Sequence, residues 1–299
     1  MSSTTVHPAA VALPVAVQAR RALPWIAGWL LLMLVVAVAG RQATRELDVF
    51  QIMEMRSLMG LVLLIPLVRM AGGSAVLRSR QLPRHVGRNI VHYAAQYGWF
   101  LALTLIPLGQ VVAIEFTMPI WTVLLAALFL GERLHRWKVA AVLLGAIGVA
   151  MIARPAGGAG IGAGQAIALA AALGFAVSVI LVKSLARTEQ PVTIMFWMLL
   201  VQSVLGLLPA LAVWRWPSPQ AWGWVALIAF AGTYAHYCMA SAMRQADATV
   251  VVPMDFLRVP LTAMAGWLLY AERIDLLMVL GTALILVGNL LNLWRAPRA

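Results

Sequence analysis

Residues 115–133 read EFTMPIWTVLLAALFLGER and residues 255–273 read DFLRVPLTAMAGWLLYAER, the same length of chain displaced by 140 positions. Each stretch opens on an acid followed by Phe, carries a proline four or five residues later, and closes on Glu-Arg after an apolar run. The same shift sets Gln96 and Tyr97 on His236 and Tyr237, and Val111 and Val112 on Val251 and Val252. It also sets Thr122 on Thr262, Leu144 on Leu284 and Gly148 on Gly288. Apolar segments share aliphatic residues by chance, but chance does not lay Glu-Phe over Asp-Phe and Glu-Arg over Glu-Arg at one shift. The chain therefore reads as an internal duplication.

Composition decides the solvent of both copies. Of 299 residues 63% are hydrophobic and 11% charged, and the mean hydropathy is +0.91, which leaves too few charges to cover a water-soluble globule. A bilayer core of about 30 Å takes about 20 apolar residues per helix. Ten such runs follow one another: 22–40, 49–68, 89–106, 111–130, 138–153, 164–183, 192–213, 220–243, 249–270 and 275–293. The first follows Arg20 and Arg21, lacks a small-residue cleavage site and leads straight into further runs, so it is expected to be a retained helix rather than a signal peptide. The expectation is an all-α membrane protein of ten transmembrane helices. It divides into a tail (1–21), a first five-helix repeat (22–155), a glycine-rich linker (156–163), a second five-helix repeat (164–295) and a short tail (296–299). Five is odd, so the two repeats enter the membrane from opposite sides and are inverted.

The net charge of +12 would suggest nucleic acid in a soluble protein, but in a membrane protein it sets orientation. Fifteen Lys and Arg fall on the N-terminal side of the spans, among them Arg69, Arg78, Arg84, Arg88, Arg136, Lys183 and Arg244. Five fall on the other side: Arg41, Arg45, Arg154, Arg215 and Arg273. Both termini are accordingly expected in the cytoplasm, with the chain in a bacterial-type inner membrane and nucleic acid no partner. The single cysteine, Cys238, excludes a disulfide framework and a cysteine metal cluster, and packing is its simplest role. Neither a cofactor nor a metal site is expected.

Ionisable groups at membrane depth cost about 2.5–3.5 kcal/mol each at the centre on insertion scales, so those that persist have partners, water or a task. They are Glu54, Arg56, Glu115, Asp255 and Arg258, with His92 and His236 as weaker candidates. Asp255 and Arg258 are three residues apart and can pair on one helical face; alternatively Arg258 offers its planar donors to a solute while Asp255 orients it or accepts an amine. Glu115 has no base three or four positions away and needs a partner from another helix or a proton. Glu115 and Asp255 are the proton-coupling candidates. Glu54 and Arg56 do not share a face. Arg56 can bridge to Glu115 or line a cavity, and both can instead snorkel to the interface. Tyr97 and Tyr237, as repeat partners, complete the expected solute-binding set with Arg56, Glu115, His236, Asp255 and Arg258.

The residues Glu115, Pro119, Leu124, Ala127 and Gly131-Glu132-Arg133, their weaker copy from Asp255 to Arg273, and Arg56 ahead of an apolar run ending at Pro66 resemble the EamA-type branch of the drug/metabolite transporter superfamily. That resemblance extends over nearly everything after residue 20. It implies a ten-helix bundle with both termini inside and a central site for a small organic solute, amino-acid-like, vitamin or related, moved by alternating access with protons or by exchange. The oligomer would be a monomer or homodimer surrounded by lipid. Catalytic motifs such as His-Glu-x-x-His and Gly-x-Ser-x-Gly are absent, so an enzyme is not expected. A non-transporting assembly subunit and an intramembrane transferase stand as alternatives.

Overall fold

In a computed structural model of the chain, residues 15–118, 120–122, 124–125, 136–152, 161–185, 188–245 and 257–294 are described. Among them there is no β-strand. The α-helices are α1 (Val15–Ala43), α2 (Val49–Met70), α3 (Leu82–Leu105), α4 (Leu108–Glu115), α5 (Arg136–Ile152), α6 (Ala163–Leu185), α7 (Pro191–Ala212), α8 (Pro219–Gln245), α9 (Arg258–Tyr270) and α10 (Leu276–Trp294), with a 3-10 turn at Gly73–Leu77. Among the described residues four segments, 20–43, 49–70, 163–182 and 191–212, are long and apolar enough to cross a membrane.

Local chemistry starts and stops these helices. The Asp48 carboxylate accepts from the Phe50 N–H and caps α2, while Pro83 and Pro191 occupy first-turn positions where a missing N–H costs nothing. Helix α9 ends at Ala271 with φ of 52°, a left-handed conformation that costs an L-residue roughly 1–2 kcal/mol and that glycine adopts freely. The first copy carries Gly131 at the matching position. Ala271→Gly is thus expected to stabilise the protein by about 0.5–1 kcal/mol after glycine's extra chain entropy is subtracted. Thermal unfolding in detergent measures this, and an unchanged or lowered Tm would count against a strained turn.

Packing is inverted relative to a soluble protein. Large apolar side chains such as Leu31, Val62, Leu208, Leu268 and Leu276 point outward, whereas Gln51, Glu54, Arg56, His85, Arg88, Asn89, His92, Gln96, Gln202 and Arg258 are buried. Only a solvent of hydrocarbon makes that distribution favourable.

The principal contacts are α1 with α8, α3 with α6, α2 with α7, α4 with α9 and α5 with α10, followed by α2 with α8 and α3 with α7. Exchanging every helix for the one five places away returns the same set: α1 on α8 becomes α6 on α3, and α2 on α8 becomes α7 on α3. Small residues allow the close approaches. A Cβ at Gly174 in α6 would lie 2.8 Å from the Cβ of Ala95 in α3, and one at Gly148 in α5 would lie 2.5 Å from the Gly281 carbonyl oxygen in α10. Gly28 of α1 faces the Cys238 sulfur of α8, which gives that cysteine a packing role.

Candidate functional site

Two polar centres lie between the halves. The first is built on the second turn of α2, where Arg56 is 6% exposed. One guanidinium nitrogen, Nη2, donates to the Gln96 Oε1 of α3 at 2.9 Å and to the Gln202 Oε1 of α7 at 2.9 Å. Both partners are neutral amides. Nε of Arg56 and Nε2 of Gln202 are buried without a hydrogen-bond partner, and among the described residues Arg56 faces no carboxylate within ion-pair distance. Arg56 therefore keeps an uncompensated charge and a free donor edge inside the bundle.

The second centre joins α4 to α9. Glu115 is the last residue of α4, after which Phe116 and Thr117 form a turn. Pro119 lies outside the described residues, but its ring nitrogen has no hydrogen to offer the carbonyl four residues earlier, which belongs to Glu115. Arg258 is the first residue of α9. A carboxylate at a helix C-terminus and a guanidinium at an N-terminus both oppose the local peptide dipoles, and each is neutralised by the other. Arg258 Nη2 lies 2.9 Å from Glu115 Oε1 and Nη1 3.4 Å from Oε2, while the Trp99 indole N–H donates to Oε2 at 2.8 Å. The Phe116 ring sits 4.9 Å and the Trp29 ring 5.9 Å from the guanidinium carbon, adding cation–π contact.

The other expected residues are placed around these centres. Trp29 is 5.8 Å from His236, linking that histidine to Arg258. Tyr97 stacks on Phe50 at 4.3 Å and Tyr237 meets Trp25 edge-on at 6.1 Å; neither contact involves Arg56 or Glu115. The His92 ring Nδ1 is 3.2 Å from the Ser178 hydroxyl. Asp255, and with it any pairing to Arg258 on one helical face, lies outside the described residues.

Three expectations are corrected. Glu54 and Arg56 do not snorkel: they are 2% and 6% exposed, because that part of α2 packs against α3 and α7 rather than lipid. Arg56 does not bridge to Glu115, whose oxygens are taken by Arg258 and Trp99. Arg88, counted above as an interfacial loop charge, lies inside α3 and is buried, with Nη1 2.6 Å from the Asn89 side-chain oxygen. Gln202 was missed as a site residue. Its only signal is a lone amide in an otherwise apolar run, next to Ser203.

Both ends of the bundle are tied across the halves. At the end holding the α1–α2 connection, Glu272 pairs with Arg41 at 3.1 Å and accepts from the Leu108 N–H at 2.9 Å, capping α4 from the other half. Gln51 donates to the Arg215 carbonyl and accepts from its N–H. Glu46 accepts from the Ser218 N–H and hydroxyl, and those two bonds, hydroxyl first, hold its carboxyl below the usual range. A depressed carboxyl favours the native contact above the unfolded value and loses that contribution as pH falls through the folded one. At the opposite end Ser79 donates to Glu189 at 2.6 Å, Thr193 to the Val76 carbonyl at 2.5 Å and Trp197 to the Leu77 carbonyl at 3.0 Å.

An all-helical membrane bundle with charges held between two interleaved halves is the architecture of a small-solute carrier. The chain belongs to the EamA-like transporter family, whose model matches residues 20–154 and again 162–294. It is 32% identical to a riboflavin transporter of Rhizobium johnstonii over 73% of this chain and 72% of that protein. It is 24% identical to an S-adenosylmethionine uptake transporter of Rickettsia felis over 91% and 93%, and 27% identical to a pseudopaline exporter of Pseudomonas aeruginosa over 83% and 87%. A crystal structure covering 91% of this chain and 96% of its own superposes with a TM-score of 0.67 at 22% identity, which establishes a shared fold. The protein is a membrane transporter of a small metabolite, not an enzyme.

Proposed function

We propose that the protein is a secondary transporter that moves a small organic metabolite across the bacterial inner membrane by alternating access of two inverted five-helix repeats, driven by protons or by exchange. The observation that carries this reading is Arg56: a buried guanidinium held by two neutral amides, one from each half, with donors left for a solute. Arg258 is already neutralised, so Arg56 takes the anionic or hydrogen-bond-accepting edge of the solute, while the Glu115–Arg258 pair joins the halves beside it. His236 and Asp255, with the rings of Tyr97 and Tyr237, complete the lining. The duplicate family match and the helix pairing that survives exchange of halves support the inverted repeat. In such a cycle the ties at the Arg41–Glu272 end and at the Ser79–Glu189 end part in turn.

Riboflavin is the first solute to test, since relatives 32% identical carry that name, and S-adenosylmethionine the second. Purified protein in proteoliposomes is expected to give saturable uptake of one of them that excess unlabelled solute competes away. Saturable uptake of neither, by a protein that unfolds cooperatively, would remove both assignments. Orientation is read on the same chain: with the buried Arg88 set aside, fourteen against five basic residues predict that a C-terminal alkaline phosphatase fusion is inactive.

A further inference from the structure

Glu54 is the buried carboxylate the site does not use. Its side chain lies on α2 and is 2% exposed, and both oxygens are buried without a hydrogen-bond partner. The Tyr93 hydroxyl of α3 is likewise buried and unpartnered. The two groups converge on Gly206 of α7, where a Cβ would stand 2.6 Å from Glu54 Oε2 and 2.9 Å from the Tyr93 hydroxyl.

Among the described residues no cation pairs with this acid. Arg56, two residues along the same helix, is turned to Gln96 and Gln202. From α7 the neighbour is the Gly206 backbone. From α3 it is Tyr93. From α8 the Gly232 backbone faces Arg56, and beyond it Thr233 faces Gly60 and Tyr234 donates to the Leu63 carbonyl. An ionised carboxylate here would have the Tyr93 hydroxyl as its one nearby donor among the described residues, short of what makes a buried charge tolerable. A solute amine could supply the charge, but Gly206 stands close against Oε2 on the side facing Tyr93. A proton needs no added room.

We propose that Glu54 is the proton-binding residue of the transport cycle, with the Tyr93 hydroxyl as its hydrogen-bond partner. This rests on the transport reading above and replaces Glu115 in the coupling role, because Glu115 is ion-paired. The carboxylate takes one proton from water when its side of the bundle opens, stays neutral while the halves are closed around Gly206, and returns that proton to water on the other side. No other reactant is consumed.

Two measurements test it. Infrared difference spectra of the purified protein are expected to show the C=O stretch of a protonated carboxyl that disappears in Glu54→Gln and persists in Glu115→Gln; a band that survives Glu54→Gln overturns the proposal without any solute. In proteoliposomes loaded with riboflavin or S-adenosylmethionine, Glu54→Gln is expected to lose at least tenfold of pH-gradient-driven accumulation while retaining counterflow, and Tyr93→Phe to shift the pH midpoint of uptake. An intact gradient response in Glu54→Gln, or a wild type that ignores the gradient, overturns the proton site. If that gradient-independent flux still requires Arg56, the transport reading stands. Absence of any saturable flux removes the transport reading instead, and the infrared result then decides Glu54 alone.

Discussion

Arg258→Ala is expected to destabilise the protein by about 3 kcal/mol, and the neutral double variant Glu115→Gln/Arg258→Gln to recover most of that loss. The side chains of the pair are 5% and 13% exposed, and each charge sits at the helix end that opposes it. Removing the guanidinium leaves a carboxylate at the C-terminus of α4 with the Trp99 indole as its donor. Breaking one side of such a pair costs more than replacing both, because an uncompensated buried charge is the expensive state. Thermal and denaturant unfolding of the three proteins in detergent measures the difference. A single variant as stable as the double would show that the pair is solvated. The same comparison separates structure from transport: if the pair serves to hold α4 against α9, flux in the double variant follows recovered stability.

Arg56→Lys is expected to keep the fold and lose the solute. Both Gln96 and Gln202 are held by one nitrogen of Arg56, a task one ammonium can take over, so stability should change by less than about 1 kcal/mol. What lysine cannot replace is the remaining edge of the guanidinium, which is planar and fixed in direction. Losing a hydrogen bond to a charged donor costs about 1.5–3 kcal/mol, which at about 1.4 kcal/mol per decade is roughly a 10- to 100-fold rise in KM. Arg56→Ala removes the solute donor and also leaves two buried amide oxygens unpaired, at about 1–3 kcal/mol each, so both Tm and flux should fall. Saturation kinetics of riboflavin or S-adenosylmethionine uptake beside unfolding curves separate the cases. A lysine variant with unchanged KM would place the solute elsewhere.

Much of the architecture is legible in the sequence because lipid imposes a simple rule on length and polarity. The run 49–68 became Val49–Met70, the run 192–213 became Pro191–Ala212 and the run 220–243 became Pro219–Gln245. Backbone groups without water must pair within the segment, so an apolar stretch of that length has helix as its only solution here. The shift of 140 sets Glu115 over Asp255 in the sequence, though Asp255 lies outside the described residues. Pro119 four residues beyond Glu115 announced the break that follows at Phe116 and Thr117.

Which ionisable group neutralises which was decided only by tertiary structure. Glu115 meets Arg258, 143 residues away, and no periodicity within either helix specifies that meeting. Glu54 and Arg56, two residues apart, face different environments, one beside Gly206 and the Tyr93 hydroxyl and one between two amides, because about 200° of helical rotation separates them. Gln202 became a site residue only when α7 was laid against α2. Hydropathy and helical period are properties of a single segment, read residue by residue along the chain. The pairing of buried charges depends on the rotation and depth of one helix against another, set by small residues such as Gly174 and Gly148 that let two backbones close on each other.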